Sequence, residues 1–460
     1  VRIDADRESP IRNLKIRSKT RLFVASALAA LGLLAVASPA LAGPGFVRGE
    51  VIVGYADGSQ RLIPVPPSSS VRSVIRQLNR SPEVDYAVPN YKARASAVPN
   101  DPGRAGTAGG WQEIQWNFLA CGSLCGKPTQ DFQAAGGINA VGAWQILADR
   151  SIQPGSGAKV AVLDTGVAYK DKAPDFQQSP DFSDSQFSDG YDFVNSDTEP
   201  LDQDGHGTHV ASTIAELNDN GIALTGLAPS ATVMPVRVLN AIGVGDAKGI
   251  SRGIRYAADQ GADVINMSFE FAAKVRSCED LPTVCSALEY AKKRGVLAVA
   301  AAGNSEGNSV AFPARAPGVL GVGRTTKDAC VGAGSRSGKG LDLVAPGGGP
   351  PKRSVTDCRR DGAKDSAAPI SQYTFTGFDF IQFGYEGYEG TSMASPHVAG
   401  VAALVISSGV LGDNPTPKEI TCQIKETARH KGLGQKYSKF LFGAGLLDAA
   451  SAVKARAPGC

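Results

Sequence analysis

Four polar side chains stand among small or apolar neighbours: Asp164 in "VAVLDTG", His206 in "DGHGTHVAS", Asn304 in "AAAGNS" and Ser392 in "GTSMASP". Together these types suffice for acyl transfer through a nucleophilic serine. A serine hydroxyl attacks a carbonyl only when a neutral imidazole takes its proton. The imidazole needs a carboxylate to hold its tautomer and stabilise the imidazolium, and the tetrahedral oxyanion needs preset N–H donors. His206 is the candidate base and Asp164 its orienting carboxylate, with Asn304 and the Ser392 backbone N–H as candidate oxyanion donors. A base of ordinary pKa, about 6.5, would put the acid limb of activity near that pH. Each residue also has a commonplace use. A serine before a helix is usually an N-cap, and an aspartate after a strand is usually a turn former. Only their joint presence points to chemistry. His206 and His209 are three apart with no glutamate between them, unlike the zinc-binding H-E-x-x-H pattern.

Elements of definite kinds must position these groups. Val398, Val401 and Val405, with Ala399, Ala402 and Ala403 between them, have helical spacing and an apolar surround, which predicts a buried helix. Pro396 lacks an N–H, so that helix must begin close to Ser392. The serine then sits among unpaired N–H groups at the positive end of a helix dipole. Apolar strands are predicted in "AKVAVLDTG" (158–166), "TVMPVRVL" (232–239), "ADVINMS" (262–268), "GVLAVAAAGN" (295–304) and "GVLGVGR" (318–324). Helical segments at 249–260 and 285–295 lie between several of them. This alternation predicts an α/β fold: a doubly wound, mainly parallel sheet with helices on both faces. In such sheets sites form beyond the carboxyl ends of the strands, where Asp164, Ser268 and Asn304 fall.

The remainder of the chain divides by composition. Basic residues precede the apolar run Leu22–Ala37, and Ala40-Leu41-Ala42 follows, so residues 1–42 have the layout of a cleavable signal peptide. The run is shorter than the roughly 20 residues a membrane span needs. Export is therefore expected, with no membrane attachment after cleavage. Residues 43–98 read as a small α+β unit, with strands at 50–56 and 84–91 and an amphipathic helix at 71–79. The Pro-, Gly- and Ala-rich stretch 95–110 reads as a linker, so 99–143 is expected to be linker and arm before a domain at 144–460. The net charge of +3 over 460 residues is no argument for nucleic acid. The cysteines number eight, an even count that suggests disulfides in an exported chain. Sequence proximity pairs Cys121–Cys125, Cys278–Cys285, Cys330–Cys358 and Cys422–Cys460.

The order aspartate, histidine, serine is that of subtilisin and not of chymotrypsin or the α/β-hydrolases. An esterase of the latter class would need G-x-S-x-G, whereas Ser392 lies in G-T-S-M-A. The segments "VAVLDTGV", "DGHGTHVAS", "DVINMS", "VAAAGNS" and "GTSMASPHVAG" resemble, in family order over about two-thirds of the chain, the subtilisin-like serine peptidases. That resemblance implies a secreted, self-processing zymogen acting on protein or peptide substrates. Residues 43–98 would be its inhibitory propeptide, a partner of its own enzyme. It implies no cofactor for catalysis. It also implies a primary substrate pocket between Ser268-Phe269-Glu270 and Ala301-Ala302-Gly303. Glu270 departs from the small residue usual there. It either narrows the pocket, favours a basic side chain, or points to solvent. "LNDNGIALTG" (217–226) resembles a family calcium loop without a clean match in length, with Asp175 a candidate distant ligand, so a structural calcium is kept as an option. A non-catalytic module that kept the fold would be expected to lack one of the four chemical residues.

Overall fold

The computed structural model describes residues 46–55, 57–91, 98–125, 132–353, 358, 367–377 and 379–460. The expected signal segment, 1–42, lies outside them. Two compact units divide at Arg94/Ala95.

In the first unit, β1 (Phe46–Tyr55) is the centre of an antiparallel sheet. It is flanked by β2 (Gln60–Pro64) and β3 (Val84–Tyr91). Helix α1 (Val71–Leu78) starts at a capping box in which Ser70 and Ser73 each accept the other's backbone N–H. Its Val71, Val74, Ile75 and Leu78 pack on Val51, Val53 and Ala87 of the sheet. The sequence does not announce β2: its residues are nearly all exposed, so no alternation marks it as a strand.

The second unit is built on seven parallel strands. They are β4 (Lys159–Asp164), β5 (Tyr191–Asp192), β6 (Thr232–Arg237), β7 (Val264–Met267), β8 (Leu297–Ala301), β9 (Val319–Thr325) and β10 (Leu343–Pro346). Their spatial order is β5-β6-β4-β7-β8-β9-β10. The chain therefore winds one way from β4 and then the other, which makes the β4–β7 junction the switch point. Successive strand residues face opposite layers. Val160, Val162, Val264, Leu297 and Val299 pack on α2 (Ala140–Asp149), α3 (His206–Ala215) and a later helix, α6 (Thr391–Ser408). Ala161, Leu163, Ile265, Met267, Ala298 and Ala300 pack on α4 (Ala247–Asp259) and α5 (Pro282–Lys293). Both faces are covered, as expected from continuously apolar strands.

Helix α6 (Thr391–Ser408) runs through the first layer, and nearly all of its residues are buried. A hairpin, β11 (Ile370–Phe375) and β12 (Phe383–Tyr388), leads into it. Helices α7 (Pro417–Glu426), α8 (Lys439–Phe442) and α9 (Ala449–Lys454) close the chain. Among the described residues no helix is long and apolar enough to cross a membrane.

The segment read as linker is not a free tether from residue 98 onward. Trp111, Trp116 and Phe118 are buried in the main core. Trp111 and Phe118 each meet Trp144 edge-on, with ring centroids 5.8 Å apart. Proline and glycine mark the absence of regular structure, not exposure, and the aromatic residues after Gly110 supply the burial. The four cysteine pairs are those expected, and no free cysteine remains among the described residues.

Candidate active site

Asp164 is the last residue of β4, at the switch point, and is fully buried. Its Oδ1 accepts the backbone N–H of Thr165 at 2.8 Å and meets His206 Nδ1 at 2.7 Å. His206 opens α3, and α3 lies against the end of β4 because residue 207 is glycine. A Cβ there would come within 2.1 Å of the Gly166 carbonyl oxygen. Asp202, which no sequence signal singled out, ties this corner together. It accepts from Thr165 Oγ1, from Thr208 Oγ1 and from the N–H groups of Gly205 and Thr208. Its only trace in the sequence is its place before "DGHGTH".

The imidazole is a quarter exposed while its carboxylate partner is wholly buried. Burial opposes protonation of the ring. The charge and hydrogen bond of Asp164, with Asp204 and Asp202 behind, outweigh that effect and raise the His206 pKa to about 9. This lies above the ordinary value near 6.5, because the charges of Asp204 and Asp202, two and four residues before the ring, add to that of Asp164. His209, three residues on, points elsewhere. It is buried, meets the Ile370 carbonyl through Nε2 at 3.0 Å and stacks on Tyr388. Burial pushes its pKa down to about 3, so it is a neutral packing residue.

Ser392 is the second residue of α6, not its cap, which is Gly390. Its Oγ and its backbone N–H have no hydrogen-bond partner among the described residues, as expected for a helix N-terminus. Its carbonyl is a different matter. Pro396 cannot donate to the carbonyl four residues back, which leaves the oxygen of Ser392 without its helical partner. The Ser268 hydroxyl donates to that oxygen at 2.7 Å, and Asn266 Nδ2 donates to Ser268 Oγ at 2.9 Å. Asn266 Oδ1 then accepts from Ser395 Oγ at 2.7 Å. Ser268 was expected at the substrate pocket. Its side chain is engaged in anchoring the first turn of α6, so only its backbone is left to face a substrate.

Asn304 follows β8. Its Oδ1 accepts from the Thr391 N–H at 2.8 Å and from Thr391 Oγ1 at 3.1 Å, while Thr391 Oγ1 accepts the Gly303 N–H at 3.1 Å. With its oxygen held in this way, the amide turns its Nδ2 away from Thr391, and Nδ2 has no partner among the described residues. Thr391 was not predicted; the signal was its place one residue before the serine. The paired register of β7 and β8 ends at Met267 and Ala300. Beyond it, Ser268-Phe269-Glu270 and Ala301-Ala302-Gly303 run on either side of the α6 N-terminus. Phe269 is half-buried; Ala301, Ala302 and Gly303 are buried.

The expected calcium loop is positioned by other acids than the one proposed. Asp175 is exposed, and no hydrogen bond joins its carboxylate to the loop among the described residues. The chain contains Pro-Asp-Phe twice, at 174–176 and at 180–182, and only folding distinguishes the copies. Asp181, from the second, accepts from Asn220 Nδ2 at 2.7 Å and from the Leu224 N–H at 3.1 Å. Asp101 accepts the N–H groups of Asp219 and Asn220 at 3.1 and 3.2 Å. Glu216 lies with them, and its Oε1 is buried without a partner. Burial raises Asp101 to about 6 and Asp181 to about 7, and pushes Glu216 well above the usual carboxyl range. No three His, Cys, Asp or Glu side chains converge as ligands among the described residues. A hard cation would therefore need carbonyl and amide oxygens of the loop to complete its shell, which calcium accepts.

Comparison with known proteins gives a consistent set. A family model described as "Subtilase family" matches residues 155–445. The chain is similar to the "Thermophilic serine proteinase" of Bacillus sp. (strain AK1), 32% identical over 340 residues, which are 74% of this chain and 67% of the relative. It is also similar to "Subtilisin Savinase" of Lederbergia lenta, 37% identical over 300 residues, 65% of this chain and 92% of the relative. Among solved structures, one of proteases from Pseudoalteromonas arctica superposes with a TM-score of 0.59 at 28% identity. It covers 77% of this chain and 98% of its own.

Proposed function

This chain belongs to the subtilase family of serine peptidases, and from that premise we propose that it is a secreted endopeptidase, made as a zymogen, in which Asp164, His206 and Ser392 form the catalytic triad. The observation that carries the reading is the 2.7 Å contact of His206 Nδ1 with a buried Asp164, taken together with Ser392 in the first turn of a buried helix. His206 Nε2 takes the proton from Ser392 Oγ as that oxygen attacks the peptide carbonyl. The Ser392 N–H and Asn304 Nδ2, both free of other partners among the described residues, receive the oxyanion. His206 then gives the proton to the leaving amine. Water repeats the sequence on the acyl-enzyme. Substrate would pair as an added strand along 268–270, with one of its side chains entering between 268–270 and 301–303. A serine-directed phosphonate should label this protein on Ser392 in peptide maps; labelling at another residue would contradict the assignment.

The raised His206 pKa sets the pH profile. Only neutral imidazole accepts the serine proton, so activity is lost as pH falls through the folded pKa and is retained above it. With that pKa near 9, kcat/KM should climb across pH 7–9, about tenfold per unit below the limb. An acid limb at or below the ordinary 6.5 would show that the Asp164 field does not act on the ring as described.

The same reading extends to the N-terminal unit, residues 43–98, as an inhibitory propeptide following a signal peptide, 1–42, with 99–143 as the arm of a mature catalytic domain at 144–460. The disulfides suit an oxidising, extracellular setting. Calcium, as a structural ion and not a catalytic one, would be held by Asp101 and Asp181 with oxygens of the loop 217–224. Its neutralising charge would favour the ionised carboxylates that burial otherwise opposes. The thermal midpoint should rise with millimolar calcium over chelator, and Asp181→Asn should abolish that difference. An unchanged midpoint in the wild type would reject the site.

A further inference from the structure

Past the end of their register, at Met267 and Ala300, β7 and β8 diverge on either side of the helix that carries Ser392. One side chain bridges the two extensions. Glu270 Oε1 accepts the backbone N–H of Asn304 at 2.8 Å. Its other oxygen lies over Gly303: a Cβ built there would be 2.7 Å from Glu270 Oε2, 2.6 Å from Arg336 Cδ and 3.1 Å from the Ala311 Cβ. Gly303 also has φ +107°, which L side chains rarely adopt, so the wall is restricted to glycine on both counts. The Glu270 side chain is exposed, as one of the expectations had it, but it is not loose. A backbone donor fixes it over Gly303, on the wall of the gap beside the candidate nucleophile.

The charge at this place is not neutralised. Arg336 reaches the same glycine, but its Nε donates to the Ser309 carbonyl at 2.8 Å and its Nη1 to Ser305 Oγ at 2.8 Å. No Lys, Arg or His nitrogen lies within ion-pair distance of Glu270 among the described residues, and Oε2 has no hydrogen-bond partner there. The carboxylate thus has one oxygen fixed in position and the other available. Steric room is short as well. An aromatic ring needs about 3.5–4 Å to heavy atoms on each face. Glu270 Oε2, Arg336 Cδ and Ala311 Cβ crowd the face of Gly303 from three sides.

We propose that Glu270 is the specificity-determining residue of the primary pocket, and that it selects peptides with lysine or arginine on the acyl side of the cleaved bond. The proposal rests on the peptidase reading above. A basic side chain supplies the N–H donor that Oε2 lacks, in a charge-assisted bond. A phenylalanine in the same place would desolvate the carboxylate and compress against it. Glu270 also holds the main chain of Asn304, whose side chain is the candidate oxyanion donor. It therefore has a positioning role that acts on all substrates alike, and the test must separate the two roles.

The experiment uses the mature enzyme and peptide substrates that differ only in that residue: Arg, Lys, Ala and Phe. Active sites are first counted with a serine-directed phosphonate. The wild type should cleave Arg and Lys peptides with kcat/KM about 10–100-fold above the Phe peptide, the range a charge-assisted hydrogen bond supports. Glu270→Gln keeps an acceptor for the Asn304 N–H and a similar volume, so it should lose the basic preference without gaining on Phe. Glu270→Ala removes the bulk and should lose the preference while gaining on Phe. A wild type that favours Phe, or a Glu270→Gln variant whose Arg-to-Phe ratio is unchanged, overturns the proposal. An equal loss on all four peptides also overturns it, because Glu270 would then act only by positioning Asn304. Absence of phosphonate labelling is a separate failure, since it removes the peptidase reading and this proposal with it.

Discussion

Replacing Ser392 by alanine should abolish peptide hydrolysis and leave the fold intact. The hydroxyl holds nothing in place, since it has no hydrogen-bond partner among the described residues. Alanine suits the second position of a helix at least as well. Without Oγ, His206 has no proton to take and no acyl-enzyme forms. Losing the serine costs about 2 × 10⁶ in kcat in subtilisin, a member of the same family, so the magnitude is transferred from that case. The same variant tests maturation. If the chain processes itself, purified Ser392→Ala protein should keep residues 43–98 attached while the wild type sheds them. Casein hydrolysis by the variant above trace levels would remove Ser392 from its role. A variant that matured as fast as the wild type would remove self-processing while sparing the catalytic assignment.

Asn304→Ala should lower kcat by about 10²–10³ with little change in KM. The figure again comes from subtilisin, whose oxyanion asparagine is the worked case. The oxyanion exists only in the transition state, so losing its donor should leave ground-state binding nearly unaltered. Alanine also removes the acceptor for Thr391, however, and loosens the first turn of α6. Asn304→Asp separates the effects. It keeps an oxygen for Thr391 and deletes the N–H donor, so its kcat should fall at least as far as that of the alanine variant. Near-normal kcat in Asn304→Asp would mean that the asparagine matters only as the acceptor that holds Thr391.

The sequence alone determined the reaction class and the layout of the sheet, because both are written in local pattern. Continuous apolar runs such as "VAVL" and "VLAVAA" require strands covered on both sides. Pro396 restricts α6 to a start near Ser392, because a ring without an N–H cannot sit deep in a helix unaided. The candidate triad residues and Asn304 stood out in the sequence because each is a polar side chain among small or apolar neighbours. Strand β2 was not, since exposed residues in a strand carry no period.

Tertiary structure decided the questions of partnership. Whether Asp175 or Asp181 faces the loop 217–224 depends on which of two identical tripeptides is buried, and nothing within the tripeptide says so. The pKa of His206 is raised chiefly by Asp164, 42 residues away along the chain, and that field is set by distance in space. Ser268 could be assigned to the pocket from its position after β7, but its hydroxyl answers the carbonyl orphaned by Pro396, 128 residues later in the chain. For Glu270 three readings stood open until the Asn304 N–H was seen to tie the exposed carboxylate over Gly303. Sequence records which groups a chain can offer. Desolvation, donor geometry and the charges that accumulate across separate segments decide which of them meet, and those arise only when distant strand ends are brought to one edge of a sheet.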